Sequence, residues 1–209
     1  MARSKSYHKN IVCLESFWNR DVENRLSVQP ILELASKKNY IKSILLTCNT
    51  MEELECNLKI APGRNGYGIL YFAFHGFPGG IIMAASTADL ETLAEFMGKK
   101  FSNWIVHFGS CRTLHIEERR IFAFMEKTNV LMMVGYKKDV SWMESAAIDL
   151  LLLDSIQFYK DMRKFWKHFR MAYGNLVQTT GLKAFHRENR RINRGFYART
   201  TRKKKGGKS

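Results

Sequence analysis

The sequence predicts a three-layer α/β domain, with a mostly parallel central sheet and helices on both faces. Two observations carry that prediction. Short, nearly all-apolar runs recur along the chain, too apolar for strands with one wet face. Segments with helical periodicity fill the intervals between them. The length of 209 residues, 45% of them hydrophobic and 12% aromatic, is enough for one sizeable core.

The elements follow in order. Ile11-Val12-Cys13-Leu14 reads as a buried strand. A helix is expected over residues 21–38, with Leu26, Ile31, Leu34 and Ala35 on one face and Pro30 kinking or splitting it. Residues 41–46 read as the second strand. Thr50, with Glu53 three residues on, has the capping-box pattern of a short helix. Ala61-Pro62-Gly63-Arg64-Asn65-Gly66 is turn chemistry. The apolar run Gly68-Ile69-Leu70-Tyr71-Phe72-Ala73-Phe74 is a strand ending at His75-Gly76. Phe77-Pro78-Gly79-Gly80 is a turn, and residues 81–84 suit a short strand. Ser86 or Thr87 is expected to cap a helix over 89–97. Residues 104–108 form another buried strand, ending at Gly109-Ser110-Cys111. Residues 117–127 read as helix, 130–134 as a strand stopped by Gly135, and 143–159 as a long apolar helix.

Over 158–177, Phe158, Met162, Phe165, Trp166, Phe169, Tyr173 and Leu176 fall at helical spacing. Lys160, Arg163, Lys164, Lys167 and Arg170 interleave with them. This is one amphipathic helix with an aromatic core face and a basic outer face. A further basic helix is expected over 182–193, and residues 199–209, without an apolar anchor, form a flexible tail. The domain division is thus 1–177 for the α/β body and 178–209 for the basic helix and tail.

Charge is uneven along this chain. The net charge is +15, and residues 160–209 hold 16 Lys and Arg against Asp161 and Glu188, or +14. Residues 1–159 are left with +1. Such a block attracts polyanions such as nucleic acid, an acidic protein partner or anionic lipid, with Arg199, Arg202, Lys203, Lys204 and Lys205 as the expected contacts. No apolar run approaches the ~20 residues of a transmembrane helix, and the start of the chain lacks a signal-peptide core. A cytoplasmic protein is expected. Cys13, Cys48, Cys56 and Cys111 have neither C-x-x-C nor zinc spacing, so neither a disulfide scaffold nor a metal is expected. No cofactor is expected.

Two reactive side chains stand at strand ends, where α/β sheets bind ligands. His75 follows one core strand and Cys111 the next. Adjacent parallel strands lie ~5 Å apart, so the two can face one cleft. An imidazole beside a thiol raises its reactive thiolate fraction. The N–H groups of Gly76 and Cys111 suit a developing oxyanion. His107, interior to its strand, reads as structural. His115 is the competing base. Cys13, Cys48 and Cys56 read as core or strand-end thiols.

At these residues the sequence resembles the caspase-like cysteine peptidases, the superfamily of caspases, metacaspases, separases and CHAT domains. The resemblance rests on Ile69-Leu70-Tyr71-Phe72-Ala73-Phe74-His75-Gly76 and on Trp104-Ile105-Val106-His107-Phe108-Gly109-Ser110-Cys111-Arg112-Thr113. Val134-Gly135-Tyr136 and Val140-Ser141-Trp142 extend it. It implies a caspase-like domain acting as a metal-free endopeptidase on a peptide or protein substrate, with Cys111 as nucleophile and His75 as general acid and base. The expected substrate pocket is Gly109, Ser110, Arg112, Asp139 and Trp142. Family members that cleave after basic residues carry an acid two positions before the nucleophile. Gly109 stands there, which leaves Asp139 or Glu144 to supply such a charge. The alternative reading is a catalytically silent α/β module that binds through its basic C-terminal segment.

Overall fold

The computed structural model describes residues 7–187 apart from Arg20, Val22, Asn24 and Arg64. Five parallel strands and one antiparallel edge strand form the central sheet. These are β1 (Asn10–Glu15), β2 (Ser43–Thr47), β3 (Tyr67–Ala73), β7 (Ile105–Phe108), β8 (Met132–Tyr136) and β9 (Leu182–His186), in the order β2-β1-β3-β7-β8-β9. The order reverses direction between β1 and β3, which opens a crevice beyond their C-terminal ends.

Alternation along each strand feeds two separate apolar layers. Val12, Leu14, Leu70 and Phe72 face the layer closed by α2 (Met51–Ile60), α3 (Leu90–Met97) and α4 (Glu118–Thr128). Ile11, Cys13, Ile69 and Tyr71 face the layer closed by α1 (Gln29–Asn39), α5 (Trp142–Ser155), α6 (Met162–Ala172) and α7 (Gly174–Thr180). The three-layer α/β architecture is therefore present, with the sheet buried on both faces.

Several elements differ from expectation. Pro30 sits in the first turn of α1, where its missing N–H is harmless, so it starts the helix instead of kinking one. The described residues between β1 and Val28 are irregular, and Leu26 and Leu34 are exposed while Val28, Leu32 and Ala35 are buried. Thr50 and Glu53 form the expected capping box. Asp89, not Ser86 or Thr87, caps α3, its carboxylate accepting from Thr92 N–H at 2.8 Å. Gly135 lies within β8 rather than stopping it.

The expected helix over 158–177 is two helices, because Asp161 caps α6 and the chain turns at Tyr173-Gly174 before α7. The basic helix expected from residue 182 is instead the strand β9, paired antiparallel with β8. The folded body thus continues past Val177 through α7 and β9. The tail, including Arg199, Arg202, Lys203, Lys204 and Lys205, lies outside the described residues.

A small antiparallel sheet was not anticipated beyond one strand. It comprises β4 (His75–Phe77), β5 (Gly80–Ile82) and β6 (Thr87–Asp89). Pro78 and Gly79 turn between the first two, with Gly79 at φ +87°, a left-handed position glycine adopts without strain. Among the described residues, no helix is long and apolar enough to cross a membrane.

Candidate active site

Three neighbouring strands end at the site. The chain leaving β1 carries Trp18, the chain leaving β3 carries His75, and the chain leaving β7 carries Cys111. Glu15 closes β1 and organises the segment after it. Its carboxylate accepts from Trp18 Nε1 at 2.9 Å, Ser27 Oγ at 2.7 Å and Val28 N–H at 2.7 Å. That holds Trp18 against the exposed His75, their rings edge-on with centroids 5.3 Å apart. Trp142, the first residue of α5, packs edge-on against Trp18 at 4.9 Å.

The imidazole has a fixed orientation. Its Nε2 lies 2.6 Å from the Trp18 carbonyl oxygen. A carbonyl only accepts, so Nε2 carries the proton and donates it there. In the neutral ring, Nδ1 then holds the lone pair.

Cys111 sits on a tight loop after β7. The Val140 N–H donates to Sγ at 3.4 Å, and Sγ lies 3.7 Å from the Val140 carbonyl. The Cys111 N–H itself has no backbone acceptor among the described residues. Arg112, at φ +60°, donates its N–H to the Lys138 carbonyl at 3.1 Å, which ties this loop to the one after β8.

Gly76 brings the histidine and cysteine segments together. A Cβ built there would stand 2.2 Å from the Cys111 carbonyl oxygen, 2.8 Å from Thr113 Oγ1 and 2.9 Å from Ser110 Cβ. Further stitches reinforce the contact. Gly79 N–H donates to the Thr113 carbonyl at 3.0 Å, and Thr113 Oγ1 lies 3.0 Å from the Gly80 carbonyl and 2.9 Å from Ser110 Oγ. A hydroxyl has one proton, so Thr113 donates to Gly80 and accepts from Ser110.

The expected pocket residues separate into three places. Gly109 and Trp142 border a crevice that also touches Trp18, Tyr71 and Asp149 and encloses about 10 Å³, the room of a single water. Ser110 is fully buried and spends its hydroxyl on Thr113, so it holds the loop rather than lining an opening. Arg112 and Asp139 are exposed beside the cysteine loop. Glu144 serves α5, its carboxylate accepting from Ser141 Oγ at 2.9 Å. His115 is exposed, its N–H donating to the Arg112 carbonyl at 2.8 Å.

Beneath the crevice lies a polar cluster that sequence reasoning missed. Asp149, 1% exposed, accepts from Tyr71 Oη at 2.6 Å, His107 Nε2 at 2.8 Å and the Tyr136 hydroxyl. These donors come from β3, β7 and β8, so one carboxylate on α5 clamps three central strands. Burial, and then the Asp149 charge, push both phenols well above their ordinary range. His107 is structural, as its strand-interior position implied. The legible signal for the cluster was a lone acid inside the apolar run Ile148 to Leu153. Trp18 was missed too, although it follows a strand end like the other two.

All four cysteines are free. Cys13 and Cys48 are buried, and burial pushes the Cys48 thiol up to about 12. Cys56 is exposed on α2. Among the described residues, no three His, Cys, Asp or Glu side chains are grouped to hold a metal ion.

A family model described as a family of unknown function (DUF6642) matches residues 8–186, which spans the whole sheet and both helix layers. No curated protein matches the chain.

Proposed function

The chain belongs to this family of unknown function (DUF6642), and we propose that it is a caspase-like cysteine endopeptidase working through Cys111 and His75. The observation that carries the reading is the joint hold on the two side chains. Trp18 fixes His75 through Nε2, which leaves Nδ1 as the basic atom, while Gly76 lets the His75 segment lie directly on the Cys111 backbone.

The chemistry runs in two balanced halves. The Cys111 proton passes to His75 Nδ1 as Sγ bonds to the scissile carbonyl carbon. The carbonyl electron pair moves onto oxygen, where the Cys111 N–H is available as a donor. The oxyanion then collapses, the C–N bond breaks, and His75 gives its proton to the leaving amine. Water then attacks the thioester carbon with His75 taking its proton, the C–S bond breaks to release the carboxyl product, and the imidazolium returns its proton to Sγ. Throughout, Trp18 stabilises the imidazolium by accepting from Nε2.

Side-chain preference follows from the crevice beside Gly109. With Trp18 and Trp142 in place, its roughly 10 Å³ admits nothing larger than a methyl group. The free thiols suit the cytoplasm, where glutathione keeps cysteines reduced.

The test is turnover of a proteome-derived peptide mixture, with new N-termini read by mass spectrometry. Cleavage should vanish in Cys111→Ala and fall by at least a hundredfold in His75→Ala. Cleavage that persists at the wild-type rate in Cys111→Ala would refute the reading.

A further inference from the structure

A second concave surface lies at the β9 edge of the sheet. One hollow of about 940 Å³ is bordered by Lys137, Lys138, Trp166, Arg170 and Lys183, with Glu118 as the only carboxylate among its described lining residues. A second, of about 420 Å³, is bordered by Trp166, Lys167, Arg170 and Met171. The two share Trp166 and Arg170, so they form one groove across α6.

Its cations are largely uncompensated. Lys167, Arg170 and Lys183 are exposed and make no ion pair among the described residues. Lys138 Nζ donates to a carbonyl, that of Gln178 at 3.1 Å, and Lys137 Nζ lies 5.8 Å from the Phe185 ring centroid. Cations gathered around a concavity repel one another until a multiply charged anion enters. In their midst stands Trp166, half-buried and stacked on Phe169 with rings 16° from parallel. From β9 the chain runs on into residues 188–209, with nine Lys and Arg against one Glu.

We propose that this groove binds single-stranded nucleic acid, with the cations on the phosphates and Trp166 as a stacking surface for a base. Cations flanking one aromatic platform are how such strands are held without sequence preference. A duplex keeps its bases stacked inside and offers Trp166 nothing. A bilayer is flat and does not enter a concavity. The proposal is independent of the peptidase reading.

The test uses the full chain and fluorescence anisotropy of labelled oligo(dT) of about 20 nucleotides, a length beyond one typical binding site. K167E/R170E/K183E changes only exposed side chains. It should weaken binding at least tenfold and lower the log–log salt slope by about 2, at ~0.7 per phosphate contact. Trp166→Leu should weaken binding between about five- and about 150-fold, the range for one lost stacking contact. Inorganic polyphosphate, poly-glutamate and phosphatidylserine vesicles should compete more weakly than unlabelled oligo(dT). Wild-type binding by the triple variant overturns the proposal. So does equal competition by any of the three other anions, because the groove would then read charge alone.

Discussion

A β-carbon at Gly76 would meet the Cys111 carbonyl oxygen at 2.2 Å, an atom held by backbone on both sides. Gly76→Ala must therefore push the β4 hairpin off the cysteine loop. Overpacking of this kind costs about 1–3 kcal/mol. It should lower the melting temperature and slow Cys111 alkylation by iodoacetamide, with Cys56 as the internal exposed control. At Asp149 the argument concerns unpaired donors. Asp149→Leu strands two phenols and an imidazole N–H in the core, and breaking such a cluster costs about 3–5 kcal/mol. Adding Tyr71→Phe and Tyr136→Phe removes two of the stranded donors. Urea denaturation of the triple variant should recover most of the loss, as replacing both partners of a buried bond is close to neutral.

Among the elements, α6 depends on its cap. The Asp161 carboxylate accepts from Arg163 N–H at 2.9 Å and Lys164 N–H at 3.2 Å, and those bonds hold its carboxyl below the usual range. Asp161→Ala should destabilise the protein by about 1 kcal/mol, the ordinary worth of an N-cap, measurable as a shifted urea midpoint. This is also the scale on which the sequence was most and least legible. Strands β1, β3 and β7 were readable because a buried parallel strand must be apolar throughout. The histidine and cysteine were readable because they follow two of those runs. β9 was not, because Leu182-Lys183-Ala184-Phe185-His186 at a sheet edge needs only alternate burial, and its cations fit a helix equally well. The Asp149 cluster was hidden for a different reason. Its members lie 78, 42 and 13 residues from Asp149, and only the folded sheet brings them together.

Across the whole molecule, buried acids set the response to alkali. Tyr71, Tyr136 and Cys13 are all raised well above their ordinary values, and Cys48 to about 12. Unfolded thiols ionise at about 8.5 and phenols at about 10. Above those values the native state binds more protons than the unfolded chain, so stability falls as pH rises. Lys9 has the opposite sign. Burial lowers it to about 8, so it adds stability as pH rises from there toward its unfolded value of ~10.4. Four groups outweigh one, and the urea midpoint should decline steadily between about pH 9 and pH 11. Cys48→Ala should make that decline shallower.

The stretch between β8 and α5 faces both ways. Lys137 and Lys138 border the basic groove, Lys138 offers its carbonyl to Arg112, and Val140 offers its N–H to the Cys111 sulfur. A strand seated in the groove therefore pulls on the same short loop that solvates the thiol. Coupling between two sites is reciprocal, which makes the cysteine a reporter. Saturating oligo(dT) should change the rate at which Cys111 is alkylated and leave Cys56 untouched. An alkylated Cys111 should in turn alter oligo(dT) affinity. Equal rates with and without oligo(dT) would mean the two surfaces share a loop but not a free energy.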